Sequence, residues 1–296
     1  MKEIYKSDSI RMAKQIIAAA DRVKSVGGRI FVFPHKSVDG DCMGAATGVT
    51  TMLRTLGAEA YIAMPERIPS NMAFMKLDDL IIYTADINDA KCQIAFAVDC
   101  SEGHRMGING EIYENTPDKL IIDHHELDLT ADYAWIVPKA SSASELVYYV
   151  ACSLAEVTGK KVSDYVDSRA ATAMASGIYT DTGRFTYSNT CAETLIAAGE
   201  LKELGADIAT AGYELFDKKS VNEFMVSHAA SMTTEFYYDN KLAIVTVDKA
   251  MFDKYNAGPD DISAVVSNLR DIDTVEFACV LREIADDAVL LLESYK

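Results

Sequence analysis

The amino-acid sequence predicts an α/β protein: a mostly parallel sheet with helices on both faces, followed by a smaller α+β domain. Two observations predict the sheet. The apolar runs RIFVFP (29–34), AEAYIAM (58–64), CQIAFAVD (92–99) and KLIID (119–123) have strand length, and they alternate with segments of helical apolar spacing. Strands separated by helices pair in parallel and bury both faces of the sheet. A third observation sets the second domain apart. Beyond residue 233 the pattern becomes a hairpin, one helix and two alternating strands. The expected division is a first domain over 1–190, a helical connector over 191–232 and a second domain over 233–296.

Each element has its local reason. Residues 9–25 carry Ile10, Ala13, Ile16, Ile17, Ala20 and Val23 at helical spacing, and Gly27-Gly28 ends that helix. RIFVFP is then a buried strand, with HKSVDGD (35–41) as the loop at its C-terminal end. MGAATGVTTMLRTLG (43–57) reads as a helix closed by Gly57 and leads into the strand at 58–64. The strands at 92–99 and 119–123 each end in an aspartate. SASELVYYVACSLAEVTG (142–159) is a helix with Leu146, Val147, Val150 and Leu154 on its apolar face. Residues 163–183 form a helix that runs into a small-residue turn, and 191–205 an amphipathic helix. Residues 213–232 are helical and more polar. A hairpin at 234–247 turns at Asp239-Asn240, a helix spans 260–270, and strands cover 273–284 and 287–296.

Composition narrows the function. Across 296 residues, 45 acidic side chains face 28 basic ones, a net charge of −17. Such a chain repels long nucleic acid, whose affinity comes largely from Lys and Arg on phosphates. It still admits a small phosphorylated substrate if metal ions bring the positive charge. No apolar stretch approaches the roughly 18–20 residues that a membrane helix needs, and the first residues lack the pattern of a secretory signal. The six cysteines are scattered without CxxC pairs, so reduced thiols and a cytoplasmic location are expected.

The chemistry concentrates in His35-Lys-Ser-Val-Asp39-Gly-Asp41, in Asp99, in Asp123-His124-His125 and in Asp181. Three of these stretches directly follow an apolar strand, and ligands of an open parallel sheet bind at the carboxyl ends of its strands. So many carboxylates share one site only with cations present. Mixed Asp and His donors suit Mn²⁺, Zn²⁺ or Fe²⁺. Taken singly, each stretch has a plainer reading. Asp99 could cap a helix, DGD could be a turn, the His-His pair could be surface, and Asp181-Thr-Gly-Arg could close a helix.

The chain resembles the DHH phosphoesterases, in particular the bacterial oligoribonuclease (nanoRNase) and 3′-phosphoadenosine-5′-phosphate phosphatase group. The resemblance rests on HKSVDGDCMGAATG (35–48), AVDCSEGHRMG (97–107), IIDHHELD (121–128), SSASELVYYV (141–150) and IYTDTGRFTYSNT (178–190). Downstream, residues 258–283 resemble the start of the DHH-associated C-terminal domain. The resemblance makes 1–190 the catalytic domain. It implies two divalent cations, Mn²⁺ first and Mg²⁺ or Co²⁺ as alternatives. His35 and Asp39 would bind one, Asp41, His124 and Asp181 the other, and Asp99 would bridge them. His125 and Arg184 would meet the substrate phosphate beside Asp99, with His104 and Arg105 lining the pocket and Asp123 supporting the loop. The implied substrate is a short oligoribonucleotide or small nucleotide such as 3′-phosphoadenosine-5′-phosphate. The alternatives are a linear or cyclic dinucleotide, and a non-catalytic nucleotide-binding relative. A homodimer is compatible with this reading, and a membrane or long nucleic acid is not expected as partner. The family's glycine-rich GGGH stretch has no counterpart, since no glycine follows Gly258. The C-terminal domain is therefore expected to be shortened, leaving 287–296 as an open edge.

Overall fold

The computed structural model describes residues 3–87, 92–126, 131, 133–285 and 288–295. The chain divides into two units, Met1–Asp217 and Lys218–Lys296.

Unit 1 is built on six parallel strands: β1 (Arg29–Phe33), β2 (Ala60–Met64), β3 (Ile81–Tyr83), β4 (Cys92–Val98), β5 (Lys119–Asp123) and β6 (Ala134–Ile136). Their order across the sheet is β3-β2-β1-β4-β5-β6, and every neighbouring pair is parallel. Its helices are α1 (Glu3–Val26), α2 (Gly40–Thr55), α3 (Gly110–Asn115), α4 (Ala143–Thr158), α5 (Ser168–Asp181), α6 (Ala192–Glu203) and α7 (Ile208–Gly212). Successive side chains of a strand point to opposite faces, so each buried run supplies two cores. Ile30, Val32, Phe96 and Ile122 pack with α1, α2, α4 and α5. Phe31, Phe33, Ala95 and Ile121 pack with Met106 and Tyr113 on the other face. Helices cover both faces as expected, but the long ones share one face. The other face is covered by a 3₁₀ stretch, Gly103–Asn109, and by the short α3.

Some boundaries differ from those read in the sequence. The β3 and β6 strands are three residues each, too short for a period of two to show. Helix α2 begins at Gly40 because the Asp39 side chain caps it, three residues before the expected start. Residues 192–203 and 208–212, read as part of the connector, are α6 and α7 of unit 1, and Ala197, Leu201 and Ala206 join its core.

Unit 2 holds β7 (Glu235–Tyr237), β8 (Leu242–Val247), β9 (Phe277–Ala285) and β10 (Ala288–Tyr295), with α8 (Val221–Ser231), α9 (Lys249–Tyr255) and α10 (Ser263–Arg270). The sheet order is β10-β9-β8-β7, antiparallel except for the parallel β8–β9 pair. The β7–β8 turn places Tyr238, Asp239 and Asn240 at positive φ, which the Asp-Asn pair tolerates. Val245, Val247, Phe252, Val265 and Val280 belong to its core. Asp287 and Lys296 of the expected last strand, and Leu127 and Asp128 of the 121–128 stretch, lie outside the described residues.

Candidate metal centre

The strand order fixes the place of the site. From β1 the chain runs outward to β2, and from β4 it runs outward the other way to β5. The connections therefore diverge between β1 and β4, leaving a crevice at their carboxyl ends. His35 follows β1, Asp99 directly follows β4, and Asp123 ends β5 ahead of His124 and His125. Asp39 and Asp41 come in at the start of α2, and Asp181 is the last residue of α5.

Asp39 uses its two oxygens differently. Oδ1 accepts from the backbone N–H groups of Asp41 and Cys42, both at 3.0 Å, capping α2. Oδ2 faces His35 Nε2 at 3.6 Å. The fully buried Asp41 is set against the N-terminus of α4. Its oxygens accept from Ala143 N at 2.6 Å and Ser144 N at 2.8 Å, where the helix dipole favours a negative charge. Asp99 is no helix cap. It sits at φ +56 and is buried, with Oδ2 3.3 Å from His35 Nε2 and Oδ1 3.3 Å from His124 Nε2. Such a φ is costly outside glycine and clusters at functional sites. His124 Nε2 also lies 3.2 Å from Asp181 and 3.7 Å from Asp41. Asp123 Oδ1 accepts from the backbone of His124 at 2.7 Å and of His125 at 3.0 Å. His125 Nδ1 stands 2.8 Å from the same oxygen and donates to it, since a carboxylate only accepts.

Burial works against charge on His35 and His124, but their carboxylate neighbours overcome it. Asp39 and Asp99 lift His35 to about 9, and Asp181, Asp99 and Asp41 lift His124 to about 11. Burial also opposes ionisation of Asp99, yet the two imidazoles hold it at about 2. Burial and the neighbouring carboxylates Asp181 and Asp99 push Asp41 well above the ordinary range. Carboxylates set this close together draw positive charge to the cluster, and here the imidazoles of His35 and His124 carry it.

The donors fit divalent cations. His35, Asp39, Cys42 and Asp99 form one group, Asp99, His124 and His125 a second, and Asp41, His124 and Asp181 a third, each with donor atoms within 4.8 Å of one another. Donors to one ion at bond lengths near 2 Å stand about 3–4 Å apart, close to the 3.2–3.7 Å separations among these imidazoles and carboxylates. Asp99 Oδ1 and Asp123 Oδ2 are buried side-chain oxygens; Oδ1 of Asp99 accepts no aligned hydrogen bond even though His124 faces it.

A cavity of about 360 Å³ opens on this cluster, lined by His35, Asp39, Asp99, His124, His125 and Asp181 and by the cations Lys36 and Arg105 with Ser37. Thus the structure brings together all six residues expected as metal ligands, with His125 and Arg105 beside them. Arg184 and His104 are not on the cavity wall. The Arg184 guanidinium stacks 5.1 Å from the Phe216 ring and approaches Asp217 at 3.6 Å. The His104 side chain is 76% exposed, near Glu102. Lys36 and Cys42 also lie at the cluster, though neither was among the expected site residues. Lys36 had a signal, as a cation inside a carboxylate loop beneath a strand end. Cys42 had none, because its approach to the cluster depends on α2 starting at Gly40.

A parallel sheet covered on both faces thus carries a cluster of carboxylates and imidazoles at its switch point. The chain belongs to the DHH family: the family's N-terminal domain matches residues 29–178, a span holding every donor named above except Asp181. Among curated relatives, the bifunctional oligoribonuclease and PAP phosphatase NrnA of Bacillus subtilis (strain 168) is 26% identical over 257 residues, covering 85% of this chain and 76% of that protein. The cyclic-di-AMP phosphodiesterase PdeA of Listeria monocytogenes serotype 1/2a (strain 10403S) is 26% identical over 249 residues, covering 79% of this chain and 36% of its own length. Among solved structures, an exopolyphosphatase-related protein from Bacteroides fragilis shares the fold, with a TM-score of 0.80 at 22% identity over 91% of this chain and 79% of that one.

Proposed function

We propose that this protein hydrolyses the phosphodiester bonds of very short oligoribonucleotides, or the phosphoester of a small nucleotide such as 3′-phosphoadenosine-5′-phosphate, with two divalent cations, Mn²⁺ foremost. The observation that carries the reading is the convergence of His35, Asp39, Asp41, Asp99, His124 and Asp181 on one crevice, with Asp99 between the two imidazoles. These residues would hold the cations, whose chemistry when bound would be Lewis-acid charge and a lowered pKa for a water at the site. The protein's own groups do the rest. Asp123 fixes the ring of His125 by holding its Nδ1–H. His125, Lys36 and Arg105 offer positive or donating groups to the phosphoryl oxygens from the cavity wall. We assign Arg184 and His104 no part in the bond-breaking step, given where they lie.

Substrate size follows from volume and charge. A cavity near 360 Å³ suits a nucleotide-sized group, and a chain of net charge −17 repels a long polyanion. Cysteines scattered without CxxC pairs and a small nucleotide substrate favour a cytoplasmic location, and no described helix is long and apolar enough to cross a membrane. The test is Mn²⁺-dependent release of mononucleotide from di- to pentaribonucleotides, set beside an Asp99→Ala variant. Turnover should vanish with the variant or with chelation, and equal turnover in all three would refute the site. The likeness to a cyclic-di-AMP phosphodiesterase supports a second reading on cyclic or linear dinucleotides. It predicts faster turnover of those substrates than of a pentanucleotide under the same conditions.

A further inference from the structure

One member of the first donor group takes no part in the proposed function. Cys42, in the first turn of α2, is fully buried, and its Sγ accepts a hydrogen bond from Asp39 N at 3.3 Å. That Sγ lies within 4.8 Å of donor atoms of His35, Asp39 and Asp99. We propose that His35, Asp39, Cys42 and Asp99 form a site for a thiophilic divalent cation, Cd²⁺ or Zn²⁺, at the first position of the centre. The inference rests on the reading of His35, Asp39 and Asp99 as cation ligands and adds sulfur to that set.

The geometry is close to what such an ion requires. Four donors around a tetrahedral Zn²⁺ stand about 3.3–3.8 Å apart. His35 already lies 3.6 Å from Asp39 and 3.3 Å from Asp99. To join them the sulfur swings inward, giving up the bond it accepts from Asp39 N and the one it donates to Asp39 O. Asp99 turns Oδ2 to His35 on this side and leaves Oδ1, buried and without an aligned hydrogen bond, towards His124. The set also has a chemical preference. Oxygen and imidazole alone suit Mn²⁺ or Mg²⁺, whereas a thiolate shifts selection towards softer ions. On binding, the Cys42 S–H bond breaks, its proton leaves to water, and the sulfur lone pair forms the bond to the cation. A soft ion held this way displaces Mn²⁺ from the centre.

The probe is Co²⁺ bound to the full chain, followed by optical absorption, with Cd²⁺ competition against bound Mn²⁺ read by the paramagnetic signal of released Mn²⁺. Cys42→Ser and Cys42→Ala are compared with the unaltered chain, and circular dichroism checks that each variant folds. The Co²⁺ form of the unaltered chain should show a sulfur-to-metal charge-transfer band that both variants lack at equal bound Co²⁺. Cd²⁺ should release Mn²⁺ from the unaltered chain at a concentration at least about tenfold lower than from the variants. Bound Co²⁺ without that band, or identical Cd²⁺ competition in all three proteins, overturns the sulfur ligand and leaves the phosphoesterase reading standing. Failure of the unaltered chain to bind either Co²⁺ or Mn²⁺ overturns both.

Discussion

At the scale of single residues, Asp39 and Asp123 show how one carboxylate serves folding and chemistry together. Asp39 caps α2 with one oxygen and turns the other to His35. The plainer reading of the DGD stretch was a turn; as a helix cap, Asp39 still has its second oxygen turned to the cluster. Asp123 holds the backbone of both histidines and the ring of the second. An Asp123→Asn change keeps the shape but can no longer hold His125 Nδ1–H through a charged oxygen. It should lower kcat by about 10–100-fold, the usual cost of losing an orienting partner, while bound Mn²⁺ stays. His124→Ala should lose both turnover and metal, and His125→Ala should lose turnover with metal retained. Metal content by mass spectrometry beside steady-state kinetics separates these, and equal metal loss in all three variants would remove the proposed division. The carboxylate–imidazole cluster was legible because each member sits at a strand or helix end in a short, distinctive stretch. Arg184 was not. The turn after α5 was legible from its small residues, but the φ of +63 at Arg184 and the stacking of its guanidinium on Phe216 depend on a residue some thirty positions away.

At the scale of elements, the centre depends on how closely α2, α4 and α5 approach. A Cβ on Gly177 would fall 2.1 Å from Ser144 Oγ and 2.8 Å from Asp41 Oδ1, so this glycine leaves room for the pair that fixes Asp41. Ser144 reinforces the arrangement by donating its hydroxyl to the Asp41 carbonyl at 3.1 Å. Gly177→Ala should therefore destabilise unit 1 by about 1–3 kcal/mol, as overpacking does, and weaken Mn²⁺ binding. Gly199, on α6, meets nothing within 4 Å, so Gly199→Ala should stabilise by about 0.5–1 kcal/mol through helix propensity alone. Urea unfolding of both variants with Mn²⁺ titration checks the contrast, and matching effects would show that the Gly177 contact is slack. The buried strands were readable in sequence because continuous apolar runs of five to seven residues have few other fates. The helix-to-helix approach was not, because close packing of Gly44, Gly48 and Gly177 is a three-dimensional fact carried by residues without side chains.

At the scale of the whole molecule, the centre gathers in one place some of the acidic residues that give the chain its net charge of −17, so cations and protons compete to offset them. His35 at about 9 and His124 at about 11 are both raised above the unfolded value near 6.5. Their contribution to stability is therefore complete below about pH 6.5 and is lost as pH rises through 9 and on to 11. Asp41 and Asp181 are also raised, chiefly by burial, so their folded forms are favoured most at low pH and cost stability once ionised. Asp99, held at about 2, has the opposite sign: its contribution is present above its unfolded value near 4 and is lost only as pH falls towards 2. Between pH 6.5 and 9 the histidines and the raised carboxylates act with one sign, and Asp99, ionised in both folded and unfolded chains across that window, adds no opposing slope. Protein treated with chelator should accordingly lose thermal stability as pH is raised from 6.5 to 9. Mn²⁺ at about a hundred times its Kd should restore roughly 2.7 kcal/mol, a rise of roughly 5–10 °C for a unit of this size, and the pH slope should flatten because the ion replaces the protons on His35 and His124. Differential scanning calorimetry across that range, with and without Mn²⁺, measures both effects. A melting temperature indifferent to chelation, with a pH slope that Mn²⁺ leaves unchanged, would mean that the imidazoles and carboxylates hold one another without a cation.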